Sequence, residues 1–117
     1  MDGCVFCQIV AGEAPAEIVR EWGDALAFVP LGPVTDGHVL VIPKVHVKDV
    51  SVDPQVSGAV MARASELAAD LPAANVITSM GEAATQTVFH LHLHVIFRRF
   101  GDGLALPWDP QSAHPRP

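Results

Sequence analysis

Basic residues are scarce in this chain. Seven lysines and arginines stand against thirteen aspartates and glutamates, which gives a formal net charge of −6 over 117 residues. Binding to nucleic acid or to an anionic membrane requires clustered cationic side chains that neutralise phosphate groups. We therefore expect neither nucleic acid nor a membrane surface as a partner.

Long apolar segments and abundant cysteines are lacking as well. No stretch approaches the roughly 18 apolar residues that a membrane-spanning helix requires, and no basic segment precedes an apolar run at the N-terminus. The two cysteines, Cys4 and Cys7, form a C-x-x-C pair. This spacing favours a metal pair or a redox pair over a structural disulfide, although no strand precedes it as in thioredoxin-like sites. We expect a cytoplasmic protein.

A hydrophobic content of 50% is enough for one core without disulfides. We expect a single domain over residues 1–106. Four prolines fall within residues 107–117, so this tail is expected to be irregular.

Apolar periodicity and turn residues predict an α+β fold. Asp53 is a candidate helix cap, Pro54 suits the first helical turn, and Pro72 ends the apolar pattern. Gly23 and Asp24 suit a hairpin turn. The predicted elements are a short helix within residues 4–11, strands 18–22, 25–29, 38–42, 75–79 and 88–98, and a long helix over residues 53–71. The strands are expected to form a mostly antiparallel five-stranded sheet, with the long helix on one face.

The last predicted strand carries three histidines at alternate positions. Side chains alternate between the faces of a strand, so His90, His92 and His94 are expected on one face, about 6.5 Å apart in steps of two residues. Five large apolar residues would occupy the opposite, core face. Such a row of imidazoles suits a metal site with an open water position, or a nucleophile with an assisting neighbour. The spacing alone does not choose between these two chemistries.

Three ordered motifs resemble the histidine-triad (HIT) family. The segment QTVFHLHLHVI at residues 86–96 is similar to the signature of that family, in which histidines alternate with hydrophobic residues. The segments CVFCQIVAGEAP at 4–15 and GHVLVIPK at 37–44 resemble its N-terminus and its central strand. Together the motifs extend the resemblance from Cys4 to Gly103.

The resemblance implies a nucleotide-binding enzyme. His92 would be the nucleophile that forms a covalent nucleotidyl intermediate, which water then hydrolyses. His94, Gln86 and Thr87 would contact the phosphate, and His38 would line the same pocket. The expected function is that of a hydrolase or phosphoramidase acting on nucleoside monophosphate esters, phosphoramidates or dinucleoside polyphosphates. The alternatives are a nucleotidyltransferase or phosphorylase, a non-catalytic zinc-stabilised nucleotide-binding module, and a metal hydrolase that uses all three histidines as ligands.

The resemblance also implies a structural zinc site. Zinc-bearing histidine-triad proteins and the related galactose-1-phosphate uridylyltransferases look similar in their two N-terminal cysteines and two histidines. Here the corresponding residues are Cys4, Cys7, His46 and His90. Two thiolates and two imidazoles make a closed tetrahedral set, which is structural rather than catalytic.

Departures from the family pattern concern the nucleoside. Many members carry an aspartate that binds the ribose hydroxyls where this chain has Pro30, while Ser79 and Thr85 stand where asparagine and glycine are usual. The phosphate-binding part of the family pattern is thus kept, while the sugar-binding part is altered. The resemblance further implies a homodimer formed through the long helix and a neighbouring strand.

Overall fold

The computed structural model describes residues 3–109. Within them the chain forms, in order, α1 (Val5–Val10), β1 (Glu17–Glu21), β2 (Ala25–Val29), β3 (Val39–Pro43), α2 (Pro54–Ala68), β4 (Ala74–Ile77), a short 3-10 helix (Glu82–Ala84) and β5 (Leu93–Phe97). Most of the predicted irregular tail, residues 110–117, lies outside the described residues. No helix in the described part of the chain is both long and apolar enough to cross a membrane.

The five strands form one antiparallel sheet in the order β1-β2-β3-β5-β4. A tight turn at Gly23 and Asp24 joins β1 to β2, and the amide of Trp22 donates a hydrogen bond of 2.9 Å to the carbonyl of Ala25 across it. The predicted α+β fold, with its five-stranded sheet, its long helix and its short N-terminal helix, is confirmed.

Each face of the sheet has its own apolar cluster. Helix α2 covers one face, where Val60 and Ala64 pack against residues from β2, β3 and β5. Helix α1 covers the other face, where it buries only Phe6, against Phe28 and its neighbours. The two helices therefore lie on opposite sides of the sheet, and α1 is the less firmly packed of the two.

Helix α2 begins as predicted but ends early. The Asp53 carboxylate accepts hydrogen bonds from the amides of Gln55 and Val56, which satisfies two of the free amides at the helix start. The helix ends at Ala68, not at the predicted residue 71. Proline disfavours helical geometry in the residue before it, so Pro72 prevents the helix from including Leu71.

The predicted long strand 88–98 is wrong at its N-terminal end, because β5 begins only at Leu93. Before it, the Leu91 amide bonds to the Val47 carbonyl at 2.8 Å, and the His92 carbonyl accepts a bond from Thr78 Oγ1 at 2.7 Å. In this segment, these contacts take the place of hydrogen bonds to a neighbouring strand. The predicted strand 75–79 is likewise shorter, since β4 ends at Ile77.

Candidate functional site

Only one of the three histidines lies within a strand. His90 is fully buried, His94 lies within β5, and His90 and His92 precede the strand. The prediction that all three lie on one continuous strand is therefore wrong. The three rings nevertheless share one side of the chain: Phe6 contacts the rings of His90 and His92, and His92 contacts His94. Leu91 and Leu93 pack in the apolar cluster on the opposite side. His90 faces the two cysteines, while His92 and His94 line a cavity together.

The buried His90 belongs to a cluster of four potential metal ligands. Its Nδ1 lies 3.4 Å from Cys4 Sγ and 3.5 Å from Cys7 Sγ, and His46 Nδ1 lies 3.3 Å from Cys7 Sγ. All four ligand atoms lie within 4.8 Å of one another. The structure thus brings together the four residues that the sequence assigned to zinc.

The geometry of this cluster fits a tetrahedral zinc ion. Zinc bonds of about 2.0 to 2.3 Å place neighbouring tetrahedral donors about 3.3 to 3.8 Å apart. The three sulfur-to-nitrogen distances given above lie within this range. His90 Nε2–H donates to the Pro43 carbonyl at 2.9 Å, so Nδ1 keeps its lone pair for the metal. Burial raises the pKa of the Cys7 thiol, with a further contribution from Cys4. Zinc binding would therefore release protons and strengthen with pH.

The ring of His92 is held in one tautomer. Its Nδ1 lies 2.8 Å from the His90 carbonyl oxygen, which can only accept, so Nδ1 carries the proton. The opposite nitrogen, Nε2, keeps its lone pair. Phe6 packs edge-on against the ring, with centroids 5.2 Å apart and planes at 85°. An imidazole oriented in this way presents Nε2 for nucleophilic attack.

A second pair of imidazoles forms a directed hydrogen-bond chain. The Val34 amide donates to His38 Nδ1 at 3.0 Å, so the proton of neutral His38 lies on Nε2, which is 2.9 Å from His94 Nδ1. His94 accepts there, which leaves its own Nε2–H as a donor. Burial lowers the pKa of His38, and burial with the neighbouring His92 and His38 lowers the pKa of His94 to about 4. Both rings stay neutral near pH 7.

The adjoining cavity has a volume of about 680 Å³. His92, His94 and Thr87 are among the residues that line it, and most of the other lining residues are apolar. Pro30 lies in this lining, where the resemblance leads one to look for a ribose-binding carboxylate. Among the described residues, Glu17 supplies the one charged side chain that lines the cavity.

Gln86 and Thr87 occupy different environments. Thr87 is exposed and lines the cavity. The buried Gln86 amide instead accepts from the Gly81 amide at 2.8 Å and donates to the carbonyls of Lys48 and Val88 at 2.9 and 3.1 Å. For the Gln86 side chain, this geometry favours holding the loop in place over the phosphate contact that the resemblance implies.

Sequence reasoning missed two residues that act on His92. Phe6 packs against its ring, and Thr78 bonds to its carbonyl. The only sequence signal for Phe6 is its position between the cysteines. No sequence signal identifies Thr78, because its bond to the His92 carbonyl depends on the path of the chain after β4.

The fold and the site define a small α+β protein in which a histidine-lined cavity adjoins a Cys2His2 cluster. A family model described as the HIT domain matches residues 11–101. An uncharacterised HIT-like protein of Mycobacterium tuberculosis is 43% identical over 110 residues, covering 88% of this chain and 76% of that protein. The chain therefore belongs to the HIT family.

Two solved structures extend this comparison. A Zn-bound histidine triad family protein from Mycobacterium smegmatis is similar with a TM-score of 0.76 and 42% identity, covering 93% of this chain and 84% of that one. A HIT family hydrolase from Clostridium thermocellum gives a TM-score of 0.77 and 33% identity, covering 86% of this chain and 95% of that one. The relatives thus include a zinc-bound protein and a hydrolase.

Proposed function

We propose that this chain is a nucleotide hydrolase that works through a covalent nucleotidyl-histidine intermediate on His92. The observation that carries the proposal is the 2.8 Å contact between His92 Nδ1 and the His90 carbonyl, which leaves Nε2 as a free nucleophile beside a cavity. Family membership and the named hydrolase among the similar structures support it.

In the first step, His92 Nε2 attacks the phosphorus of a nucleoside monophosphate ester, phosphoramidate or dinucleoside polyphosphate. The Nε2–P bond forms, and the bond from phosphorus to the leaving oxygen or nitrogen breaks. The leaving group departs with the bonding electron pair and takes up a proton. Phosphorylation at Nε2 makes the imidazole cationic, and the His90 carbonyl stabilises this charge through Nδ1–H.

In the second step, water attacks phosphorus, and the Nε2–P bond breaks. Neutral His92 is restored, the water loses a proton, and the nucleoside monophosphate leaves. If another acceptor replaces water, the same intermediate leads to nucleotidyl transfer. Acceptor-dependent turnover after a burst of leaving group distinguishes transfer from hydrolysis.

Other groups hold the phosphoryl oxygens. The contact with His38 at His94 Nδ1 keeps the proton of His94 on Nε2, which makes this nitrogen a donor. Thr87 lines the same cavity and supplies a hydroxyl. Neutral donors suit this site because no lysine or arginine is found in the described lining of the cavity.

The cluster of Cys4, Cys7, His46 and His90 would hold a structural zinc ion. A closed set of four protein ligands stabilises the fold and provides no open position for substrate. The alternative of a hydrolase with three histidine ligands has no geometric support, because His90 Nδ1 faces the two cysteine sulfurs and His90 Nε2 bonds to the Pro43 carbonyl. Among the described residues, the group of potential metal ligands that contains His90 includes neither His92 nor His94.

The proposal is tested by turnover of nucleoside phosphoramidates and dinucleoside polyphosphates with the wild-type protein and His92→Ala. We expect a loss of several orders of magnitude in kcat, with nucleoside monophosphate binding retained. Arg20→Ala, on the exposed strand β1, is the control. If His92→Ala keeps more than about a tenth of wild-type turnover, His92 is not the nucleophile. If the wild type binds nucleotide without turnover, the non-catalytic alternative is correct.

A further inference from the structure

A second cavity lies beside the first. Its volume is about 490 Å³, and Val5, Thr87 and Val88 line both cavities. Thr87 also lines the larger cavity together with His92 and His94, the proposed nucleophile and the proposed phosphate contact. The two cavities therefore adjoin at Thr87, which is itself a proposed contact of the phosphoryl group.

The smaller cavity carries a positive charge. Lys48 lines it together with apolar Val88 and Phe89, and the ammonium nitrogen of Lys48 lies 5.5 Å from the centroid of the Phe89 ring. Within residues 3–109, Lys48 forms no ion pair. The adjacent Asp49 carboxylate accepts hydrogen bonds from the amide and hydroxyl of Ser51. These bonds are the main reason that the pKa of Asp49 is lowered, and the charge of Lys48 makes a smaller contribution. The Lys48 ammonium group can therefore still bind an anion.

Lys48 is attached to the loop that carries Thr87. Its carbonyl accepts a hydrogen bond of 2.9 Å from Gln86 Nε2, and Gln86 is buried and directly precedes Thr87. The same amide group also bonds to Val88. One glutamine therefore fixes Lys48 relative to the residues that separate the two cavities.

We infer that the smaller cavity is a subsite for the leaving group and that Lys48 makes it selective for a leaving group with a carboxylate. The inference rests on the proposed function. A phosphoryl group under attack has the nucleoside and the leaving group as separate substituents, and the larger, apolar cavity is suited to the nucleoside. Val88 and Phe89 would contact an apolar portion of the leaving group, while Lys48 pairs with its carboxylate.

The test compares two nucleoside phosphoramidates that differ only in the carboxylate, with phenylalanine or phenethylamine as the leaving amine. For the wild type we expect kcat/KM to favour the phenylalanine compound by roughly two- to fivefold, the range for an exposed ion pair. The ratio should approach one in Lys48→Met, invert in Lys48→Glu, and shrink as salt is raised. Lys44→Met is the matched control, because Lys44 pairs with Glu21 and lines neither cavity.

Each outcome bears on a different claim. A wild-type ratio near one, or a preference that Lys48→Met leaves intact, overturns the subsite. If neither compound turns over, the proposed hydrolase is wrong, and the subsite is then tested by binding alone. Phenylacetate should shift the amide resonances of Lys48, Thr87 and Val88 in the wild type and not in Lys48→Met. Absence of these shifts overturns the inference on its own.

Discussion

Removal of zinc should weaken nucleotide binding as well as lower Tm. Helix α1 carries two of the four proposed zinc ligands, Cys4 at its cap and Cys7 within it. The same helix contributes Val5, Phe6 and Ile9 to the wall of the larger cavity. Two proposed zinc ligands and part of the proposed nucleotide-binding wall thus belong to one short segment.

We expect the stability of α1 to depend on a bound zinc ion. Burial of Phe6, which is 7% exposed, contributes about 1.5 to 3 kcal/mol. Ordering the backbone of the six helical residues costs about 6 to 12 kcal/mol. Structural zinc contributes on the order of 10 kcal/mol in small zinc domains. Without the ion, the balance favours release of α1.

Loss of this wall should weaken nucleoside monophosphate binding by about tenfold or more, if contacts equivalent to one buried apolar side chain are lost. Calorimetric titration of AMP and GMP into zinc-loaded and chelator-treated protein measures the change. Hydrogen exchange over residues 4–10 reports on α1 directly. By linkage, nucleotide should tighten zinc binding by the same factor. Equal nucleotide affinity with and without zinc, with α1 still protected, would refute this reasoning.

Three further predictions concern stability and assembly. Because the pKa of His94 is lowered to about 4, the folded state binds a proton at His94 more weakly than the unfolded state does. The free energy of unfolding should therefore fall by up to about 3 kcal/mol between pH 6.5 and pH 4. A denaturation series in which His94→Asn shows the same fall would contradict this. Thr78→Val should lower the free energy of unfolding by about 1 kcal/mol and reduce kcat, since it removes the bond to the His92 carbonyl; unchanged values in both assays would argue against it. Light scattering should give about twice the 12.4 kDa chain mass, as expected if pairing relieves an unpaired sheet edge, whereas a fully active monomer would exclude the dimer.

Local sequence signals predicted much of the fold. The cap at Asp53 and Pro54 placed the start of α2, and Gly23 with Asp24 placed the first hairpin. Leu91 and Leu93 alternate with histidines, and this alternation correctly indicated that both leucines lie in one apolar cluster. Such features depend on residues close in the chain, so they can be inferred without the tertiary structure.

The site was less predictable because it depends on long-range contacts. The four proposed zinc ligands were identified through family resemblance, and the geometry brings them together. The late start of β5 at Leu93 could not be predicted, since it depends on contacts with the distant residues Val47 and Thr78. Gln86 also looked like a ligand-binding side chain, but its amide is occupied by three backbone groups.

The central claim, covalent catalysis by His92, is tested most directly by trapping the intermediate. A nucleoside phosphoramidate is mixed with the protein, the reaction is quenched in alkali within one turnover, and the peptides are analysed by mass spectrometry. We expect a nucleoside monophosphate group on the peptide that contains His92, attached to its imidazole ring and absent from His92→Ala. Rapid turnover with no adduct, or an adduct on His94 in place of His92, would contradict it.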